Sequence, residues 1–411
     1  MTNLPSARTG TAQLTLTSPT GEVLADQDVV IEQTRHAFEL GNIGFDLIEH
    51  ATGERHQEQL AADWLKLFNT ATLPFYWGRF EPERGRPHTA RLTAAAQWFT
   101  DHGVRLKGHP LVWHTVKAPW LDPLPTSEVE AVLRARVRRE THDFAGLVDT
   151  WDAINEVVIM PEFCNEPDGV PNAISRLARE VGRVGMVRLA FGSAREANPA
   201  ARLLINDFDL SERYEQLISE ILAAGVRLDA IGLQTHMHQG FRGEAQLLEV
   251  ADRFARFGLP LHFTETSLVS GDLMPADVVD LNDHVVDHWP STPQGEERQA
   301  EEIERHYRTL FAHPAVAAIT YWGISDRGAW LGAPIGLLRA DGSRKPAYAA
   351  LDRLINQEWW LAPTTVRTDA EGRVPVTGAH GDYRVVCGPA SATFTITPTP
   401  SQVRLVPVQQ R

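Results

Sequence analysis

Between residues 37 and 354, short apolar runs alternate with longer stretches whose apolar residues recur three and four positions apart. The short runs, at 37–41, 70–73, 104–108, 150–154, 203–206, 230–234, 261–264 and 317–321, are too brief for helices and read as buried strands. The longer stretches, at 57–68, 91–102, 128–144, 173–197, 214–224, 245–257 and 297–311, have the period of amphipathic helices. A further helix is expected at 346–354, with Pro346 at its first turn, where the missing N–H costs nothing. The two ends differ from this middle. Leu14 and Leu16 alternate with Gln13, Thr15 and Thr17, Pro19-Thr20-Gly21 turns the chain, and Val29-Val30-Ile31 offers a second strand. Residues 364–366, 373–376, 383–386 and 392–396 read as strands between Gly, Pro and Asp turns.

Eight strand–helix pairs in a row predict an α/β fold, a (β/α)8 TIM barrel over residues 36–358. The strands of 1–35 and 359–411 are expected to associate into a small accessory β domain, because two strands alone are marginal in water. A doubly wound open sheet is the alternative, but Gly41-Asn42-Ile43-Gly44 is a poor match to the Gly-rich phosphate turn such sheets carry after their first strand. The longest loops, 157–172 and 266–295, would lie on the C-terminal rim, where barrels of this kind place their chemistry.

Composition narrows the partners. With 39 basic and 53 acidic residues the net charge is −14, which argues against nucleic acid and against an anionic membrane. No apolar run approaches the ~18 residues of a membrane span, and residues 1–10 lack the apolar core of a signal peptide, so a soluble, cytoplasmic protein is expected. Cys164 and Cys387 lie far apart without ligand spacing and read as free thiols. Eleven Trp against six Tyr leaves flat indole faces to spare, and such faces stack on sugar rings.

The fourth apolar run ends in Trp151-Asp152-Ala153-Ile154-Asn155-Glu156 and the seventh in His262-Phe263-Thr264-Glu265. Two glutamates, each just past a barrel strand, would face each other across one barrel mouth. Cleavage of a glycosidic bond needs such a pair, one to protonate the leaving oxygen and one to attack or to direct water. Rim salt bridges to arginine would use the same residues, so position alone does not decide. Sixteen histidines raise the question of a metal, but no pair or triad stands at ligand spacing, and no Gly-x-Ser-x-Gly elbow offers a serine nucleophile.

The segment Trp151–Glu156 resembles the acid/base motif of family 10 glycoside hydrolases, the xylanase-type enzymes. Gly108-His109-Pro110-Leu111-Val112-Trp113-His114 resembles that family's third-strand motif, Gly232-Leu233-Gln234-Thr235-His236 its sixth, and Thr264-Glu265 its nucleophile strand. Residues 319–326 with Trp330, and Leu337-Leu338, Asp341-Gly342 and Lys345-Pro346-Ala347-Tyr348, resemble its eighth strand and closing segment. The resemblance implies a retaining β-glycosidase without a metal or other cofactor. It assigns Glu156 as acid/base and Glu265 as nucleophile, with Asn155 meeting the sugar 2-hydroxyl and His236 bonding Glu265. Gln234 would line the same wall, His109 and Trp113 would contact the reacting sugar, and Trp322 and Trp330 would form its floor and side. His114 is expected to support the site, and Asn206 to be a rim residue without an assigned role.

Two stretches depart from the family pattern. Around residues 69–79 the Glu, Asn and Lys that hold sugars on the non-reducing side are missing, and Phe75, Tyr76 and Trp77 stand there. Val116 likewise replaces a Gln. The expectation is an apolar neighbouring subsite and poor binding of xylan chains, unless polar residues of 267–295 compensate. After the nucleophile the chain reads Thr266-Ser267, where an Asp is usual, so His236 lacks its anionic partner. The partner molecule is therefore expected to be a carbohydrate, either a xylo-oligosaccharide or a small plant β-glycoside. A carbohydrate-binding barrel with weak turnover is the rival reading.

Overall fold

The computed structural model describes residues 4–164 and 169–397, together with the backbone of 403–404 and 406–407. Residues 165–168 of the loop after Glu156 lie outside the described residues.

Eight parallel strands close into a barrel: Glu39–Ile43, Thr70–Pro74, Arg105–His109, Thr150–Asn155, Arg202–Asp207, Ala230–Met237, Leu261–Leu268 and Val316–Tyr321. These are called the first to eighth barrel strands. Each pairs with its neighbours in sequence, and the eighth closes on the first, with Ala318 opposite Glu39 and Tyr321 opposite Asn42. All eight coincide with the apolar runs. The reason is burial on both faces: every residue of Leu261–Leu268 is buried, as are the first four of Thr70–Pro74. A strand covered on both sides loses the polar alternation of an open sheet and becomes a plain apolar run. The expected helices form the outer layer, among them Glu58–Leu67, Thr89–Asp101, Thr126–Asp143, Ala173–Ala197 and Pro293–Ala312. Their apolar stripes and the outward faces of the strands build one continuous core.

The chain ends meet, as their patterns anticipate. Thr9–Thr17 runs antiparallel to Arg373–Ala379, and Asp28–His36 is held between Thr364–Arg367 and Gly381–Cys387, with Ala390–Ile396 beyond. The inward residues Ala12, Leu14, Leu16, Val29, Ile31, Val374, Val376, Tyr383, Val385, Phe394 and Ile396 make a core separate from the barrel's. Two short strands, Val403–Arg404 and Val406–Pro407, add to these sheets without a pattern long enough to announce them. Cys164 and Cys387 are free. No helix among the described residues is long and apolar enough to cross a membrane.

The sheets sit at the N-terminal end of the barrel, away from the strand ends that carry the glutamates. Arg8, just before the first of these strands, donates to the carbonyls of Phe311 (2.5 Å) and His313 (2.6 Å) and to that of Val316, which opens the eighth barrel strand. His36 Nε2 reaches the Ile355 carbonyl at 3.0 Å from the other flank. Removing a charged donor leaves three carbonyls short of a partner, so Arg8→Met is expected to lower unfolding stability by roughly 1–3 kcal/mol in urea titrations. Activity per folded molecule should not change, because the contact lies at the far end of the barrel.

Candidate active site

Both glutamates owe their direction to irregular backbone. In the seventh strand Thr264 pairs with Gln234, but the next pair is Ser267 with His236, so Glu265 is one residue too many and forms a bulge. In the fourth strand the register slips between Asp152 and Ile154. A bulge turns a side chain that the pleat would send elsewhere, and bulges gather beside active sites for that reason. Glu265 and Glu156 also adopt left-handed backbone, with φ of 55° and 54°. Residues with a Cβ seldom do so, at about 1–3 kcal/mol each, and hold it only where surroundings over-determine the chain. Here the Glu156 N–H is fixed by the Asn206 carbonyl at 2.8 Å.

Five side chains bind the two carboxyls into one network. Trp113 Nε1 donates to Glu156 Oε2 at 2.7 Å, and Gln234 Nε2 lies 3.2 Å from Glu156 Oε1 and 3.1 Å from Asn155 Oδ1. Asn206 Nδ2 donates both to Glu265 Oε1 and to Asn155 Oδ1, each at 2.7 Å. His236 Nε2 lies 3.3 Å from Glu265 Oε2, and His109 Nε2 3.9 Å from Glu265 Oε1. Thus Glu156, Glu265, His109, Trp113, Asn155, Gln234 and His236 converge as their motifs imply. Trp322 stands edge-on to His109, ring centres 5.1 Å apart, and Trp330 lies 4.7 Å from His236, so both indoles border the same space. His114 is buried 4.0 Å from Glu156 Oε2 and packs against Phe163.

Three features escape the motifs. Asn206, given no role from sequence, ties the fourth strand to the seventh. Phe45 joins the aromatic wall, 5.9 Å from both Tyr76 and Trp322. Ser267 Oγ takes up His236 Nδ1 at 3.0 Å, so a neutral hydroxyl stands where a carboxylate was expected to be missed. The aromatic stretch after the second strand needs correction. Phe75 is fully buried against Phe80, Phe144 and Trp151, and Trp77 packs on Trp120 and donates to Glu81. Both are core, because the strand is ending and successive residues turn opposite ways. Tyr76 alone faces the site, 5.5 Å from His109 and 5.6 Å from Trp113.

The two carboxyls are driven apart electrostatically. Burial, then the charge of Glu265, pushes Glu156 from 4.5 up to about 8, against the lowering bond from Trp113. Burial would raise Glu265 too, but the His109 and His236 imidazoles outweigh it and hold Glu265 below its ordinary value. His109 is itself anchored: its Nδ1 meets Asp152 at 2.8 Å, and Asp152 pairs with Lys107 at 2.9 Å. Burial alone would raise Asp152, but Lys107 and His109 keep it at about 2. At neutral pH the site therefore holds one protonated and one ionised glutamate, the division of labour that acid-assisted displacement requires. No group of three or more potential metal ligands occurs among the described residues.

The model of glycosyl hydrolase family 10 matches residues 39–353. The chain is 25% identical over 286 residues to an endo-1,4-beta-xylanase/feruloyl esterase of Xylanibacter ruminicola, covering 65% of this chain and 39% of that protein. It is 26% identical over 300 residues to endo-1,4-beta-xylanase B of Thermotoga neapolitana, covering 69% of this chain and 78% of that one. The chain thus spans well under half the length of the first relative. A solved structure of a GH10 protein from Paenibacillus barcinonensis superposes with a TM-score of 0.63 at 23% identity, over 77% of this chain and 94% of that one, a likeness of fold.

Carbon NMR of the side-chain carboxyls is expected to find one glutamate titrating near 8, absent in Glu156→Gln. Trp113→Phe removes a bond that favours the ionised form, so the same resonance should titrate at higher pH in that variant. A resonance that stays near 4.5 in the parent would contradict the electrostatics described.

Proposed function

The chain belongs to glycosyl hydrolase family 10 and is an O-glycosyl hydrolase, and on that footing we propose that it works by double displacement with retention, through Glu265 as nucleophile and Glu156 as acid/base. The observation that carries this reading is the opposite perturbation of the two carboxyls within one hydrogen-bonded network. Ionised Glu265 attacks the anomeric carbon while protonated Glu156 gives its proton to the leaving oxygen. Once Glu265 is esterified its charge is gone, and with it the second cause of the high Glu156 value. Glu156, which has already given up its proton, then stays ionised more readily and serves as the base that activates water, so the first step prepares the second.

Asn155 fits the sugar side of this scheme. Its Oδ1 accepts two bonds, whereas its buried Nδ2 has no partner in the protein. A buried donor left unpaired costs roughly 1–3 kcal/mol, and a sugar hydroxyl beside Glu265 would satisfy it. Trp322, Trp330 and Tyr76 supply faces and edges for the ring.

The substrate we propose is a short β-glycoside, either a xylo-oligosaccharide or a glycoside with an apolar aglycone, in preference to a long xylan chain. Tyr76 supports this. It brings one half-buried ring to the side where polar groups would be needed to bind further sugars. A ring can stack on a sugar but leaves most of its hydroxyls unpaired. The accessory sheets, at the opposite end of the barrel, are read as structural.

The decisive comparison is kcat/KM for xylohexaose against aryl β-xyloside, β-glucoside and α-arabinoside. Aryl substrates should lead. If xylohexaose leads by more than about tenfold, or ~1.4 kcal/mol of transition-state binding, the specificity proposal is wrong. Glu265→Gln and Glu156→Gln should each lower kcat on an unactivated substrate by about three orders of magnitude or more, ~4 kcal/mol.

A further inference from the structure

A second cavity opens on the same rim, between the loops that follow the fifth and sixth barrel strands. Its volume is about 430 Å³, enough for one ring-sized ligand, and its walls include Phe208, Ser211, Arg242, Gln246, Glu249 and Arg253. Phe208 follows Asp207 directly. Asp207 in turn accepts the Val158 N–H at 3.0 Å, so this wall adjoins the loop after Glu156.

Arg242 is the unusual member. It is only half-exposed, and burial pulls its guanidinium below the ordinary value. No carboxylate or carbonyl among the described residues accepts a bond from it, and the carboxylates of Glu244, Glu215 and Asp209 are taken by other partners. Glu244 is held by both nitrogens of Arg305, at 2.6 Å each. Glu215 is held by Arg253 and Arg256, at 3.3 and 2.5 Å. Asp209 turns to Ser211 and Arg213. Glu249 is exposed on the outer wall and lies beyond ion-pair distance of any arginine. A guanidinium that lines a cavity without an acceptor in the protein is an open fork of donors, and its geometry matches a carboxylate. On the same cavity Phe208 presents 46% of its surface, an uncommon exposure for a phenyl ring and a ready face for another ring.

We propose that this cavity binds a carboxylate carried on a ring, with Arg242 taking the carboxylate and Phe208 the ring face. The ligand class deepens the glycosidase reading and rests on it in one respect: the acidic ring would be part of a substrate lying on the Glu156 side of the cleft. Binding itself needs no turnover. A saturated ring acid and an aromatic acid share the chemistry, and the test separates them.

Calorimetric titrations of the full chain with sodium glucuronate and with sodium 4-hydroxybenzoate, and with glucose and 4-hydroxybenzamide as uncharged counterparts, decide it. At least one carboxylate should bind saturably, and its uncharged counterpart at least tenfold more weakly. Arg242→Gln should weaken that binding tenfold or more, while Arg242→Lys, which keeps the charge, should recover part of it. Loss on Phe208→Ala for 4-hydroxybenzoate alone would assign the aromatic source; glucuronate binding alone would assign the saturated one. Thermal unfolding of each variant separates a lost site from a lost fold. Absence of saturable binding by both carboxylates, or equal binding by the parent and Arg242→Gln, overturns the proposal. Hydrolysis of an uncharged aryl β-glycoside, run in parallel, should stay within twofold in Arg242→Gln. Its absence in the parent would refute the glycosidase reading and leave the carboxylate site standing.

Discussion

The site turns on one amide. Asn206 is buried near the end of the fifth barrel strand, and its Nδ2 donates to both Asn155 and Glu265. Its Oδ1 is then the acceptor, and the Thr264 hydroxyl donates to it at 2.5 Å. With both ends committed, the amide has one orientation, set by the network it joins. Three strands are pinned together by this side chain, at the point where two bulged strands carry strained glutamates. The sixth strand makes room for it: a Cβ on Gly232 would come within 2.4 Å of Asn206 Oδ1. The same economy of space recurs at Gly108, where a Cβ would meet the buried Trp151 ring at 2.2 Å.

Around that pinned amide the two carboxyls differ electrostatically. Two acidic side chains in one dry space cannot both ionise cheaply, and the protein decides which one does by where it puts cations and donors. The chain Lys107–Asp152–His109 approaches Glu265 from below, and His236 from the side. Glu156 receives only the neutral donors Trp113 and Gln234, with burial working against its charge. Ser267, a hydroxyl where a carboxylate is usual, leaves the His236 imidazole with a neutral partner at Nδ1.

Most of the fold was legible because parallel strands in a barrel are buried on both faces and announce themselves as apolar runs. The residues proposed for the site were singled out by their resemblance to family motifs near the ends of those runs, since position alone left rim salt bridges as an equal reading. What was not legible depends on details that no linear pattern carries. Asn206 reads as an ordinary strand-end residue until the sixth strand is seen to lack a Cβ beside it. Phe75 and Trp77 read as a wall with Tyr76 until the direction of each side chain at the end of the second strand is known, which splits them into core and site. The bulge at Glu265 and the left-handed turns at both glutamates belong to the pairing of strands and have no local signature. The short strands at 403–404 and 406–407 are held by their neighbours rather than by their own composition.

The central claim is that Glu265 attacks the anomeric carbon. Its most direct test is mass spectrometry of the protein after incubation with an activated 2-deoxy-2-fluoro β-glycoside, which slows departure of the glycosyl group from a nucleophile. A single covalent glycosyl adduct is expected in the peptide containing Glu265, formed as activity is lost. An adduct on another carboxylate, or turnover of the compound without any adduct, would contradict it.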